Sequence, residues 1–400
     1  YLIERCFELK DYIDLRFSSE VIDHEQNKEN VDITVSCPEG YYQLKSLYMV
    51  ACDGAESPTR KRMNLSFDGE IFDEHFLIVD IFMDTPPFES DRPERWFWFA
   101  PTFHEGQSAL LHKQAENIYR IDLQLEENID KKKELDPERV RKRINKVVKS
   151  DNFEIDWMSI YKFKCASLDK MVFDRIIFVG DSAHVVSPFG ARGGNGGIHD
   201  VDNLGWKLAS ILKNNSSVKI LSSYNDERIE AAKENILNSS RATNFMTPKN
   251  KMAKVFRDQV LDLAISNQFS QNLINSGRLS VPFKLADLKL DNEYKDDPLL
   301  GSIYIDFPIL DRKGNRLFLT DVIAHSYNLL SFSKMKIEVP VDLNIISVGE
   351  ENNKDVDFLD YEGKGLDRYT AGLSYVIRPD GYIVGIFKEV YIDTLKRCML

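Results

Sequence analysis

One stretch constrains the fold more than any other: residues 176–212, IIFVGDSAHVVSPFGARGGNGGIHDVDNLGWKLASIL. Ile176–Val179 is a short apolar run of strand type. The segment that follows carries Gly180, Gly190, Gly193, Gly194, Gly196 and Gly197 together with Pro188. Ile198, Val201, Leu204, Gly205, Leu208, Ile211 and Leu212 then fall on one broad helical face, which predicts an amphipathic helix packed through that face. A strand, a glycine-rich crossing and a helix make a phosphate- or cofactor-binding arrangement. Glycine lets a ligand approach the backbone, and a helix start offers N–H groups and the positive end of a dipole. A tight turn with no ligand would not need so many glycines beside Asp181-Ser182-Ala183-His184.

The order Gly180-Asp181, Pro188, Gly190, Gly193, Asn195, followed by Asn203-Leu204-x-Trp206-Lys207-Leu208-Ala209, resembles the Gly-Asp motif of the FAD-dependent aromatic hydroxylases. A second element fits the same family. The strand-like Tyr48–Cys52 runs into Asp53-Gly54, with Ser57 and Arg60 after it, and is similar to that family's Asp-Gly motif near FAD and the NAD(P)H path. A lone Asp-Gly is usually a turn; the flanking strand, serine and arginine carry the likeness. For Arg60 a solvated surface charge is the competing reading.

Composition narrows the partners. The net charge of −12 argues against nucleic acid or an anionic membrane surface. No apolar run is long enough to span a bilayer. Five scattered cysteines without Cys-x-x-Cys, and seven histidines without a cluster, suit a reducing cytoplasm and supply no metal site. The chain starts at Tyr1 and contains no Gly-x-Gly-x-x-Gly, the fingerprint that holds the FAD pyrophosphate in the family. The expectation is a fragment whose fingerprint lies upstream.

The pattern along the chain is α/β (α+β). Tyr1–Lys10 reads as the end of a helix, and Ile13–Asp23, Val31–Cys37, Tyr41–Leu44 and Leu47–Cys52 as strands. By the resemblance, residues 1–62 and 171–300 are expected to form an incomplete Rossmann-like FAD-binding domain. Residues 63–170 form an inserted antiparallel substrate-domain sheet with one helix started by Asp136-Pro137, and Trp96-Phe97-Trp98-Phe99 are candidates for lining its pocket. Lys131–Lys133 reads as a solvated loop. Leu221-x-x-Tyr224-x-x-Glu227-Arg228 resembles the family's Tyr…Glu-Arg element, a structural brace built on an ion-forming pair. Residues 301–400 resemble the thioredoxin-like C-terminal domain of the phenol hydroxylase branch, including a hairpin at Arg378-Pro379-Asp380-Gly381-Tyr382. Without Cys-x-x-Cys its role is packing or a homodimer contact.

The resemblance implies cofactor contacts at Asp53, Gly54, Arg60, Gly180, Asp181, His184, Pro188, Gly190, Arg192, Gly193, Gly194 and Asn195. Asp181 is expected at the ribityl chain or pyrophosphate. Pro188 marks the bend beside the flavin ring and is the candidate catalytic position. The helix start at Asn195 faces the anionic edge of reduced flavin. His184 reads more readily as a hydrogen-bonded structural residue than as an acid or base. The implied reaction uses FAD, NADPH or NADH, and O2 to hydroxylate a small phenolic aromatic through a flavin C4a-hydroperoxide. Two alternatives stay open. Trp96-x-Trp98-x-Ala100-Pro101 resembles the signature of flavin-dependent halogenases, apart from Ala100, so a halogenase or another FAD oxidoreductase is one. A non-catalytic remnant without a pyrophosphate loop is the other.

Overall fold

The computed structural model describes residues 1–88, 95–187, 192–214, 216–275, 281–286, 294–332, 343–350 and 355–399. The chain divides into two compact units, Tyr1–Gly197 with Ala232–Ser280, and Ile198–Ala231 with Val281–Leu400.

In the first unit, helix α1 (Leu2–Glu8) precedes an antiparallel meander of β1 (Glu20–Gln26), β2 (Val31–Cys37) and β3 (Gly40–Ser46). The expected strand over Ile13–Asp23 forms only from Glu20 onward. Its partner β2 is taken up from Val31 to Ser36 by Gln26 back to Glu20, with a bulge between Val21 and Asp23, and beyond Ser36 the chain turns into β3, so the earlier residues have no partner there. Strand β4 (Met49–Ala51) leads to α2 (Pro58–Arg62), which starts with proline in its first turn and is capped by Ser57.

Next come β5 (Asp68–Phe82), β6 (Arg95–Phe99), β7 (Ser108–Lys113) and β8 (Ile118–Leu125), then helices α3 (Lys131–Glu134) and α4 (Pro137–Val148). They are followed by β9 (Glu154–Ser167), β10 (Val172–Phe173), β11 (Ile176–Phe178) and β12 (His184–Val185). Six of these strands build one antiparallel sheet in the order β12-β9-β5-β8-β7-β6.

Alternation along β8 sends Tyr119, Ile121, Leu123 and Leu125 to one face, where they meet Val140, Ile144, Val147 and Val148 of α4. The carboxylate of Asp136 accepts the Arg139 N–H at 2.9 Å, which fixes the start of α4 as expected. The other face collects Phe76, Leu110, Phe163 and Cys165, with Phe97 and Phe99 against them. The aromatic run of β6 therefore divides. Trp96 and Trp98 stack at 5.9 Å, Trp98 joining the α4 side, while Phe97 and Phe99 turn the opposite way.

Lys131–Lys133 is not a loop. Asp130 accepts the N–H groups of Lys132 and Lys133 and starts the single turn α3, which ends in the buried Glu134 held by Arg139 and Arg143. The unit closes with helix α5 (Gly193–Asn214), whose residues after Gly197 belong to the second unit, the part of α6 (Ile220–Met246) from Ala232, α7 (Lys251–Ala264) and α8 (Gln268–Asn275).

The second unit carries β13 (Pro308–Asp311), β14 (Arg316–Phe318), α9 (Leu319–Val322), β15 (Tyr327–Ser331), β16 (Leu343–Gly349), β17 (Phe358–Leu359), β18 (Ser374–Ile377), β19 (Ile383–Phe387) and α10 (Ile392–Cys398). Its sheet runs β14-β13-β17-β16-β15-β18-β19 and is parallel only across β17-β16-β15. Leu330, Ile346, Val348, Tyr375 and Ile377 belong to one apolar cluster, and Leu329, Val376, Val384 and Leu395 to another. The β18–β19 turn forms at Arg378–Tyr382 as the sequence indicates, with Gly381 at φ +81°.

The helical face read from the apolar residues of α5 holds at Leu204 and fails at Ile198, Val201 and Leu212. Ile198 and Val201 are 66 % and 57 % exposed, and Leu212 is also exposed. Asp200, Asn203, Leu204 and Lys207 are the buried positions, spaced three and four apart on one side of the helix. That polar side is buried because each group meets a counterpart within the unit. Arg228 Nε donates to Asp200 at 2.7 Å. Glu227 accepts from Asn203 at 2.7 Å, from Lys207 at 3.0 Å and from both terminal nitrogens of Arg378 at 2.8 and 3.0 Å. Arg378 also donates to Asp380 at 2.9 and 2.6 Å. Glu227 and Arg228 thus turn to different partners instead of forming the expected pair.

Candidate cofactor site

The site is assembled from backbone first. Strand β4 lies parallel to β11, pairing Met49–Ala51 with Ile176–Phe178, and the Val179 N–H continues the ladder to the Ala51 carbonyl at 3.1 Å. Both motifs leave the same end of this pair, Asp53-Gly54 from β4 and Gly180-Asp181 from β11. In a parallel pair the carboxyl ends of the strands are where a ligand meets the sheet.

Ser182 locks the two exits together. Its hydroxyl is fully buried, donates to the Ala51 carbonyl at 2.6 Å and accepts from the Val179 N–H at 3.2 Å. Arg60 completes the joint. One terminal nitrogen donates to the Ser182 carbonyl at 3.0 Å and the other to the Ala55 carbonyl at 2.6 Å, while the guanidinium lies 3.8 Å over the Phe67 ring. Arg60 is therefore a buried brace between the motifs, not a solvated surface charge. Asp53 shapes its own loop by accepting the Thr59 N–H at 2.9 Å. Burial works against its charge, but the Ser57 and Thr59 hydrogen bonds outweigh burial and hold its pKa below the ordinary value.

The glycines separate into two kinds. Gly180 has φ +62°, the left-handed region, while a Cβ on it would make only an ordinary 3.7 Å contact with the Gly197 Cα. A Cβ on Gly196 would press to 3.2 Å from the His184 ring. Packing of the chain on itself thus accounts for Gly196, and the left-handed backbone for Gly180. Gly194 is different. It is exposed, helical, and a Cβ on it would meet nothing within 4 Å. A first-turn glycine that no protein atom crowds leaves the backbone N–H groups open to close approach, which is what a cofactor at the start of α5 would need.

Asp181, Gly194 and Asn195 are exposed, and Gly54, Gly180 and Gly193 are half-buried. His184 and Arg192 point inward. His184 is buried in β12, paired with Ser167 of β9. Arg192 is buried and donates to Asn235 of α6 at 2.8 Å. Pro188 and Gly190 lie outside the described residues. The residues that bracket them are anchored to α6 on both sides: Ser187 shares a 2.6 Å hydroxyl contact with Thr243, and Arg192 reaches Asn235. Ser182, Ser187, Asn235 and Thr243 were not singled out by sequence. Ser182 alone left a signal there, as the small polar residue directly after Gly-Asp.

Among the described residues no group of histidine, cysteine and carboxylate side chains is arranged to hold a metal, and no helix is long and apolar enough to cross a membrane.

Comparison with known proteins places this geometry. The family described as "FAD binding domain" matches residues 6–239. The 3-(3-hydroxy-phenyl)propionate/3-hydroxycinnamic acid hydroxylases of Escherichia coli O81 (strain ED1a) and of strain K12 are 28% identical over 246 residues, 61% of this chain and 43% of theirs. The chain thus spans less than half the length of these curated relatives. Among solved structures, the flavin-dependent monooxygenase PieE in complex with FAD and substrate superposes with a TM-score of 0.78 at 16% identity, covering 99% of this chain and 78% of that one. A ternary complex of aklavinone-11 hydroxylase with FAD and aklavinone gives 0.76 at 19% identity, covering 98% and 75%. The Diels-Alderase PyrE3 gives 0.71 at 20% identity, covering 99% and 77%, so the likeness at this level speaks for the fold alone. The match over residues 6–239 settles the membership: the chain belongs to the FAD-binding-domain family, together with FAD-dependent aromatic hydroxylases.

Proposed function

We propose that the protein carrying this chain is an FAD- and NAD(P)H-dependent monooxygenase that hydroxylates a phenolic aromatic compound with O2. The observation that carries the reading is the joint between the motifs. Asp53-Gly54 and Gly180-Asp181 are held edge to edge by Ser182 and Arg60, beside the open backbone at Gly194. FAD, when bound and reduced by NADH or NADPH, would supply the electrons that activate O2, one oxygen of which goes to the aromatic ring and the other to water. The chain's own residues do the rest. Asp181, exposed at the turn, accepts hydrogen bonds from hydroxyls of the cofactor's ribityl chain. The first turn of α5, at Gly193, Gly194 and Asn195, would offer its N–H groups and positive end to the anionic reduced cofactor, an effect of up to about 2 kcal/mol when partly buried. His184 and Arg192, both buried, brace the first turn of α5 instead of reaching the reacting atoms.

The sheet of β5–β9 is read as the substrate wall. Its Phe76, Phe163, Phe97 and Phe99 face supplies the flat apolar surface an aromatic ring needs. In the second unit, the parallel β17-β16-β15 run joined to the antiparallel β18–β19 hairpin supports a thioredoxin-like layout without thiol chemistry.

The test is turnover by the complete protein with a panel of phenols. Each is scored for stimulation of NADH or NADPH oxidation and for hydroxylated product against hydrogen peroxide. Peroxide alone, with no phenol stimulating oxidation, defeats the hydroxylase reading. Asp181→Ala is expected to weaken FAD binding by about tenfold or more, the loss of a charged hydrogen bond. Unchanged flavin content would remove Asp181 from the cofactor site.

A further inference from the structure

We propose that the cleft between α3 and α4 binds a small oligophosphate, a molecule that carries several phosphate groups in a row. The site does not depend on the chemistry proposed above. Helix α4 lays Val140, Ile144, Val147 and Val148 against Tyr119, Ile121 and Leu123, while the Phe76 and Phe163 wall occupies the other face of the same sheet. The cleft therefore lies on the far side of the sheet from that wall. Charge is concentrated here by the sequence. Residues 131–149 hold nine lysines and arginines against three carboxylates, in a chain whose net charge is −12. At 100° per residue, Arg139, Lys142, Arg143 and Lys146 fall within one arc of about 100° of α4, on the side away from its apolar residues. Helix α3 brings Lys132 and Lys133 to the same place. The six cations line a cleft of about 690 Å³, within the rough 300–1,000 Å³ range of small-molecule sites.

The nearby carboxylates do not cancel this charge. Asp136 is engaged as the cap of α4. Glu134 is buried and fixes two walls of the cleft, pairing with Arg139 at 2.9 Å and with Arg143. Lys132, Lys133, Lys142 and Lys146 are exposed and make no ion pair among the described residues, although Glu138 stands one turn before Lys142. A solvated helix face usually mixes the two signs. Here Arg139 with Arg143, and Lys142 with Lys146, set like charges four apart, a spacing that works against the helix. A multiply charged anion in the cleft turns those repulsions into shared attraction. Ammonium and guanidinium groups both suit phosphate oxygens, and cations drawn from two helices around a hollow engage several phosphates at once. No aromatic side chain lines the cleft to stack on a base, so the phosphates are what is read. A nucleic acid fits less well, because its backbone runs on past the cleft onto a chain whose remaining charge is negative.

The experiment is calorimetric titration of the complete, flavin-loaded protein with inorganic triphosphate, without magnesium and at about 0.15 M salt, where long-range charge effects are screened. One triphosphate per chain is expected. ATP should bind within about threefold of it, and inorganic phosphate at least about tenfold more weakly. Lys142→Ala with Lys146→Ala should weaken triphosphate by about thirtyfold. Both side chains are exposed, so the flavin content and melting temperature of that variant should match the parent. Lys251→Ala with Lys254→Ala removes the same charge from exposed positions on α7 and should bind triphosphate as the parent does. The proposal is overturned if triphosphate gives no binding, if the α7 variant loses as much affinity as the α4 variant, or if ATP binds and triphosphate does not. Sulfate competing as well as triphosphate at equal ionic strength would reduce the cleft to unspecific anion attraction and also overturn it. So would a short DNA duplex that displaces triphosphate from the parent but binds the α4 variant poorly, since the cleft would then belong to nucleic acid.

Discussion

Two clusters of buried charge, one in each unit, are finished in opposite ways. In the second unit Arg378 sits between Glu227 and Asp380, Lys207 and Asn203 close on Glu227, and every charged group has a partner. In the first unit the analogous cluster lies on the sheet of β5–β9. Arg120 grips Asp80 with two bonds of 2.7 and 2.6 Å, and the register sets His112 opposite both Arg120 and Arg95. Beside that pair, Oδ1 of Asp122 and Nδ1 of His112 are occluded with no hydrogen-bond partner. The titration of the two clusters diverges accordingly. For Glu227, burial opposes the charge, but the hydrogen bonds and charge of Arg378, helped by Lys207, outweigh it and bring the pKa down to about 2. For Asp122, burial prevails over the attraction of Arg120 and Arg95 and pushes the pKa up to about 6. For His112, burial, then Arg95 and Arg120, push it down to about 4. Completion of pairing, not the presence of opposite charges nearby, decides the direction.

The strongest way to break that contrast is Glu227→Ala. It leaves Arg378 and Lys207 buried without their shared carboxylate, and removal of one member of a buried pair costs about 3–5 kcal/mol. The sign with pH follows from the depressed pKa. The contribution is fully present above about 4.5, the ordinary glutamate value, and is lost as pH falls toward about 2. Melting curves of parent and variant should therefore lie far apart at pH 7 and converge in acid. A shift below about 2 °C at pH 7, the change that roughly 1 kcal/mol makes in a domain of this size, would show that the cluster is decorative.

Asp122→Asn tests the other half and should act in the opposite direction. Its folded pKa is raised, so the folded state holds the proton more tightly than the unfolded chain. The burden is absent below about 3.8 and complete above about 6. Asparagine removes the charge and keeps the shape, so it should stabilise the protein by up to about 3 kcal/mol at pH 7 and by much less at pH 4. Urea titrations at the two pH values measure the difference. Destabilisation at pH 7 would mean that Asp122 is as well paired in solution as Glu227.

The same contrast marks what the sequence could disclose. Local signals were readable. Asp136-Pro137 started α4, and Arg378–Tyr382 closed its hairpin. Position within a pattern was less reliable than chemistry. The apolar residues of α5 suggested the buried face, yet Asp200, Asn203 and Lys207 are inside because Arg228, Glu227 and Arg378 meet them. Arg378 stands 151 positions from Glu227, and no periodicity in either segment encodes that meeting. Arg60 failed the same way: a charged residue after a turn reads as solvated until its acceptor, the Ser182 carbonyl 122 positions on, is known. Polar burial is legible only when both partners are in view.

The smallest expected effect falls on Lys207, and it separates two explanations of the satisfied cluster. Burial lowers the lysine to about 8, with Glu227 opposing and Arg378 reinforcing the shift. Between about 8 and 10.5 the unfolded chain carries a proton that the folded one does not, so this group adds stability as pH rises through that window and withholds it below about 8. Lys207→Met gives up the bonds to Glu227 and Asn203 but also sheds a desolvated ammonium, and Arg378 keeps both carboxylates. The net change at pH 7 should lie within about 1 kcal/mol, with the parent gaining on the variant from pH 8 upward in parallel melts. A loss at pH 7 equal to that of Glu227→Ala would show that satisfaction is collective over all four charges instead of centred on Arg378. Asp122 would then differ from Glu227 in the number of its neighbours and not in the completeness of its pairing.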